Sequence, residues 1–176
     1  VISADRQISA LTAQELSNYI TTGTLDLLVD KTLQQKSNLT QQIQDCLAGF
    51  EQKYPNSEHN QAQNTTAKAL LDVEHVAVLN GPAGCGKTKI ALEWAKLNEA
   101  NKIIWVCPRV QVCEGLYQDL ISDEYLPDGK IEIYTGEFKY TNRQGERVPT
   151  PQGQEFSGDI VLTTIDQVIN SITTHT

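Results

Sequence analysis

The chain has 176 residues, 39% of them hydrophobic, and a formal net charge of −8, enough apolar material for one lobe and a small appendage. That acidity argues against a protein that coats duplex DNA nonspecifically, while leaving room for a local groove that tracks a strand. No stretch approaches the run of about 18 apolar residues needed to cross a bilayer, and the N-terminus lacks a basic region followed by an apolar one, so the expectation is a cytoplasmic protein without a membrane partner.

Up to about Pro55 the sequence reads as helices. Thr12-x-x-Glu15 has the form of a capping box, Gly23 of a C-terminal stop, and Leu39 to Phe50 carries apolar residues at helical spacing. The glutamines at 34, 35, 41, 42 and 44 fall on what reads as a solvated helix face, interrupted by Leu, Ile and Phe. Nothing in this region carries chemistry, and residues 1–58 are expected to form a helical appendage or linker.

Tyr54-Pro-Asn-Ser-Glu-His-Asn60 is polar and turn-rich, which places the start of the second unit, 59–176, near there. Ala67–Leu71 reads as helix. From His75 strands and helices alternate: strand to Asn80, helix Lys87–Leu97, strand Lys102–Cys107, helix Val110–Ile121, strand Ile131–Tyr134. A polar loop or hairpin follows Gly136 and runs through Ser157, then a strand at Asp159–Thr163 and a helix from about Ile165, with Thr164-x-x-Gln167 as its capping box. This alternation predicts an α/β fold built on a mostly parallel sheet flanked by helices.

The chemistry lies in Gly81-Pro82-Ala83-Gly84-Cys85-Gly86-Lys87-Thr88. It matches the pattern G-x-x-x-x-G-K-T of a phosphate-binding loop and sits between an apolar strand and an amphipathic helix, where that function requires it. Glycines let backbone amides turn inward around phosphates, and the helix N-terminus adds partial positive charge. Lys87 reaches the outer phosphates, and Thr88 offers its hydroxyl to magnesium. A nucleoside triphosphate, ATP with Mg2+, is the expected ligand. Cys85 is expected to contribute backbone alone.

The four cysteines, Cys46, Cys85, Cys107 and Cys113, show no CxxC spacing, and His59, His75 and His175 have no ligand spacing. Reduced thiols and no metal site of the protein's own are expected.

With the loop placed, Gln61-Ala-Gln63, Ile103-Ile-Trp-Val-Cys-Pro-Arg109 and Asp159-Ile-Val-Leu-Thr-Thr-Ile-Asp-Gln167 complete a resemblance that covers roughly residues 60–176. The lobe resembles the first RecA-like domain of a superfamily 2 helicase, a P-loop NTPase. Its Thr-Ile-Asp-Gln strand end is similar to the form used by the CRISPR-associated helicase-nuclease of type I interference systems. The resemblance implies that Gln63 or Gln61 reads the adenine edge. It further implies that Pro108 and Arg109 contact the sugar-phosphate backbone of a tracked strand, and that Thr164, Asp166 and Gln167 form a second strand contact. Asp166, which would repel phosphate, is expected to orient its neighbours or complete the helix cap.

What the resemblance implies for the parent protein is an ATP-driven translocase that unwinds DNA and passes a single strand to a nuclease, with a CRISPR surveillance complex as partner. An apolar strand ending in Asp-Glu, which would hold magnesium for hydrolysis, does not occur in the sequence, nor does a second lobe. The chain lacks methionine and begins at Val1. These features lead to the expectation of a fragment that binds nucleotide weakly and hydrolyses it poorly. Two alternatives share the loop: a nucleotide-gated module that engages a protein partner through residues 1–58, and a small kinase, which would need a lid with more arginines than Arg143 and Arg147.

Overall fold

A computed structural model describes residues 38–74 and 76–174. The expected Thr12 capping box, the Gly23 stop, Gln34, Gln35, His75 and His175 lie outside them. Helix α1, Leu39–Lys53, turns Leu39, Ile43 and Cys46 inward at helical spacing. After a short turn, Ser57 caps α2, Glu58–Leu71, by accepting the Asn60 backbone N–H at 3.3 Å. This helix starts nine residues before the expected Ala67, because the polar stretch that reads as a boundary supplies its cap.

Helix α3, Lys87–Leu97, follows the glycine-rich loop. Strand β1, Ile103–Cys107, leads into α4, Val110–Leu120, then β2, Ile131–Tyr134. A hairpin of β3, Lys139–Arg143, and β4, Glu146–Pro149, comes next. Its two-residue turn places Gln144 at φ 52° and Gly145 at φ 84°, the double positive φ that matches the twist of paired strands. Strand β5, Ile160–Thr164, and helix α5, Ile165–Thr174, complete the order.

The sheet order is β1-β5-β2-β3-β4. β5 runs parallel to β1 and to β2, while β2–β3 and β3–β4 are antiparallel. The expected mostly parallel sheet is therefore corrected to a mixed one, since the hairpin extends it beyond β2. The expected strand before the loop is also corrected. Residues 76–80 form no ladder, and Val76 and Val78 are 78% and 85% exposed. An alternating apolar run becomes a strand only where a partner edge and a covering layer exist, and none is supplied to this run among the described residues.

One face of the sheet carries Ile103, Trp105, Cys107, Ile160, Leu162, Ile131 and Ile133. With α1, α3 and α4 they form one hydrophobic cluster, in which Ile43, Leu92, Tyr117 and Leu120 are fully buried. The core thus has no break at residue 58, since α1 packs its inward stripe into the same cluster. On the opposite face, Phe156 and Gly158 cover Glu132. Both carboxylate oxygens of Glu132 accept backbone N–H groups, from Phe156 and from Gly158, at 2.9 Å each. Burial pushes the Glu132 carboxyl above its ordinary value, opposed by those two bonds and by Lys102 and Lys130. Among the described residues no helix is long and apolar enough to cross a membrane.

Candidate nucleotide and strand-contact site

The loop from Gly81 to Thr88 closes on itself at the start of α3. Gly84 and Gly86 both take φ 82°, a left-handed conformation that glycine adopts without a steric cost. Gly86 is the N-cap of α3, and the Cys85 N–H donates back to the Pro82 carbonyl at 3.3 Å. The first backbone N–H groups of a helix lack intrahelical acceptors and carry partial positive charge. A phosphate group therefore meets the start of α3 as a donor surface, with Lys87 at its first position and Thr88 at its second.

The Lys87 stem folds back over the loop, its Cε lying 3.7 Å from where a Cβ on Gly81 would stand, while Cys85 Sγ lies 2.8 Å from that point. A side chain at 81 would displace both. Gly84 faces open space, and Pro82 and Ala83 are exposed with it. These residues fit a nucleoside triphosphate: a helix start and a lysine for the phosphates, and the Thr88 hydroxyl for a phosphate-bound magnesium.

Gln63 stands in an unexpected place. Its side chain is buried beneath the loop, 5% exposed, and donates to the Cys85 carbonyl at 3.0 Å. It also lies 3.1 Å from His59 Nε2 and accepts from Lys89 Nζ at 2.6 Å. Lys89 donates as well to Asn60 Oδ1 at 2.6 Å and sits 5.0 Å from the centre of the Phe50 ring. Burial lowers the Lys89 pKa, with Glu93, Cys46 and Glu51 acting against it. Gln61 is exposed on the same helix and lines a polar cavity of about 510 Å³ together with Asn64, Glu93 and Lys96. The sequence reading missed His59, Asn60 and Lys89. The one available signal was the spacing of four residues between His59 and Gln63, which stacks them on one helix face.

The second group of residues meets at the carboxyl ends of the parallel strands. Cys107 of β1 is the register partner of Thr164 of β5, and Tyr134 of β2 that of Thr163. Pro108 and Arg109 therefore emerge beside Ile165 and Asp166, with Thr135 and Gly136 on the other side. A Cβ on Gly136 would lie 3.9 Å from Gln167 Nε2. Arg109 is exposed, extended at φ −146° as the N-cap of α4. Thr164 is buried, whereas Asp166 is exposed. The Thr164 hydroxyl beside it, and more weakly its own backbone N–H and the Gln167 side chain, hold the Asp166 carboxyl below the ordinary value against partial desolvation. Gln167 Nε2 donates to Asp166 Oδ2 at 3.2 Å, which ties the two side chains together at the start of α5. In open α/β sheets, ligands settle against the carboxyl ends of the strands where the chain order switches. β5, inserted between β1 and β2, ends at that edge.

The charged hairpin is a separate matter. Arg147 pairs with Glu114 and lies 4.9 Å from the centre of the Tyr117 ring, and Lys139 lies 5.3 Å from that of Tyr134. Cys46, Cys107 and Cys113 are buried, and burial pushes the Cys46 and Cys113 thiols up to about 11 and about 12. No cluster able to hold a metal ion through His, Cys, Asp or Glu occurs among the described residues.

A glycine-rich loop that opens a helix, in a chain whose α/β sheet has parallel strands, is the arrangement of a P-loop nucleotide-binding domain. The chain belongs to the family described as type III restriction enzyme, res subunit, whose model matches residues 31–176. That family carries a helicase-like domain of the DExD/H superfamily with a P-loop NTPase fold, and its members generally use ATP and Mg2+ and bind nucleic acid. The match begins upstream of α1, in keeping with the shared core. Comparison with curated proteins and with solved structures finds no match.

Proposed function

We propose that this chain is the nucleotide-binding lobe of an ATP-driven motor that moves along a single strand of DNA. The observation that carries the nucleotide half is the loop itself, with Gly84 and Gly86 at positive φ and Lys87 folded over Gly81 at the start of α3. The register that sets Cys107 beside Thr164 supports the strand half, because it gathers Pro108, Arg109, Thr164, Asp166 and Gln167 along one edge. In this reading Lys87 neutralises the outer phosphates, Thr88 holds magnesium, and Arg109 meets the strand backbone. Turnover requires a magnesium carboxylate and an opposing lobe, so the chain on its own binds nucleotide and turns it over slowly.

The finer reading is a role in CRISPR type I interference, with a surveillance complex as partner. It rests on the Thr164-Ile-Asp-Gln167 strand end alone.

Titration calorimetry with Mg-ATP tests the nucleotide half. Lys87→Ala removes a charge-assisted contact worth about 1.5–3 kcal/mol, an expected loss of about 10–150-fold in affinity. Equal binding by parent and variant would end the proposal. For the strand half, Arg109→Ala is expected to weaken single-stranded DNA binding and to reduce the slope of log K against log salt by about 0.7. An unchanged slope removes Arg109 from the interface.

A further inference from the structure

The resemblance assigns adenine recognition to Gln63 or Gln61, yet the structure uses Gln63 for something else. A side-chain amide reads an adenine edge by offering one acceptor and one donor in a plane. The Gln63 oxygen is held by Lys89 Nζ at 2.6 Å, and its nitrogen faces the Cys85 carbonyl at 3.0 Å and His59 Nε2 at 3.1 Å. Oxygen and both N–H groups are thereby engaged, in a side chain 5% exposed. Turning it toward a base would leave a buried ammonium without one of its oxygen partners and a loop carbonyl without its donor, two losses against one gain.

The contact with the loop is close as well as polar. A Cβ on Gly86 would stand 2.1 Å from Gln63 Nε2, so Gly86 is glycine partly to admit this amide. Cys85 and Gly86 are the two residues directly before Lys87. Fixing the Cys85 carbonyl outward, toward α2, fixes the peptide plane whose N–H belongs to Gly86 on the opposite side. Gln63 thus sets the direction of a phosphate-facing amide without touching the nucleotide. Gln61, the other candidate, lines the cavity with Glu93 and Lys96, six and nine positions along α3 from Lys87, or about 9 and 13 Å at 1.5 Å per residue.

We infer that Gln63 is a positioning residue for the phosphate loop, and that the site recognises the triphosphate with little regard to the base. It would accept purine and pyrimidine nucleoside triphosphates alike. This rests on the phosphate-loop reading above.

The test measures dissociation constants of Mg-ATP, Mg-GTP, Mg-CTP and magnesium tripolyphosphate for the parent chain, Gln63→Glu and Lys87→Ala. Gln63→Glu keeps an oxygen for Lys89 and loses the donor to the Cys85 carbonyl, and its melting temperature is measured alongside so that loss of fold is told apart from loss of loop geometry. The expected result is that the parent binds all three nucleotides within about threefold of one another, and Gln63→Glu weakens all four ligands by a common factor of about tenfold. A parent that prefers ATP at least tenfold, with the preference erased in Gln63→Glu and tripolyphosphate binding untouched, overturns the inference. Unchanged binding of every ligand by Gln63→Glu overturns the positioning role. Lys87→Ala reports separately on the underlying reading: if it binds ATP as tightly as the parent, the phosphate loop itself has been misread.

Discussion

Replacing Glu132 by alanine strips the acceptor from two buried backbone donors at once, the N–H groups of Phe156 and Gly158, each 2.9 Å from a carboxylate oxygen. A buried donor left unpaired costs about 1–3 kcal/mol, so the pair costs about 2–6. Relief from burying a carboxylate, which is what raises its pKa, offsets part of this. The net expectation is about 2–4 kcal/mol, a shift of about 4–16 °C in melting temperature for a domain of this size. It is read by thermal and urea denaturation.

The pH dependence has a definite sign. The folded carboxyl holds its proton more tightly than the ordinary value of 4.5, so between 4.5 and the raised folded value the native state binds more protons than the unfolded one. Stability from this group is therefore greatest below 4.5 and declines as pH rises through the folded value. Glu132→Gln does not titrate, and the stability of the parent relative to it should fall over that window. A difference that stays flat from pH 4.5 to 7, together with an alanine variant within about 0.5 kcal/mol of the parent, would refute the reasoning.

Two further outcomes are expected. Gly86→Ala meets both a left-handed φ, about 1–2 kcal/mol, and the Gln63 amide, whereas Gly84→Ala meets the φ alone. Calorimetry should show the first losing nucleotide affinity well beyond the second. Cys85 is the one cysteine that is partly exposed, so a thiol reagent at pH 8 should modify it first, and Mg-nucleotide should protect it. Equal labelling of Cys46 or Cys113, whose thiolates burial disfavours, would contradict the structure.

The sequence was most legible where local chemistry decides the outcome. Lys87–Leu97 and Ile131–Tyr134 form as read, because a glycine start and an amphipathic stripe fix the first and two isoleucines at strand spacing the second. The Thr164 to Gln167 junction was placed at a strand end for similar reasons. The parts that were not legible depend on partners distant in the chain. Whether 76–80 becomes a strand depends on an edge to receive it, and the fate of Gln63 was settled by Lys89, 26 positions away. In a chain so rich in glutamine, residue type alone could not show that this one lies beneath the loop. Glu132 read as an ordinary strand residue, since nothing local announces that residues 156 and 158 will fold over it.

β1 ends the sheet among the described residues, and its outward face shows Ile104 and Val106 half exposed, with Val76 and Val78 also open to solvent. An unpaired strand margin of this type invites the strand of a neighbouring molecule. The opposing influence is the charge of −8, which keeps copies apart. Mutual repulsion is screened beyond about 10 Å at 0.1 M salt, while the attraction between apolar strips is not. The colloidal behaviour of the protein should therefore worsen as ionic strength rises.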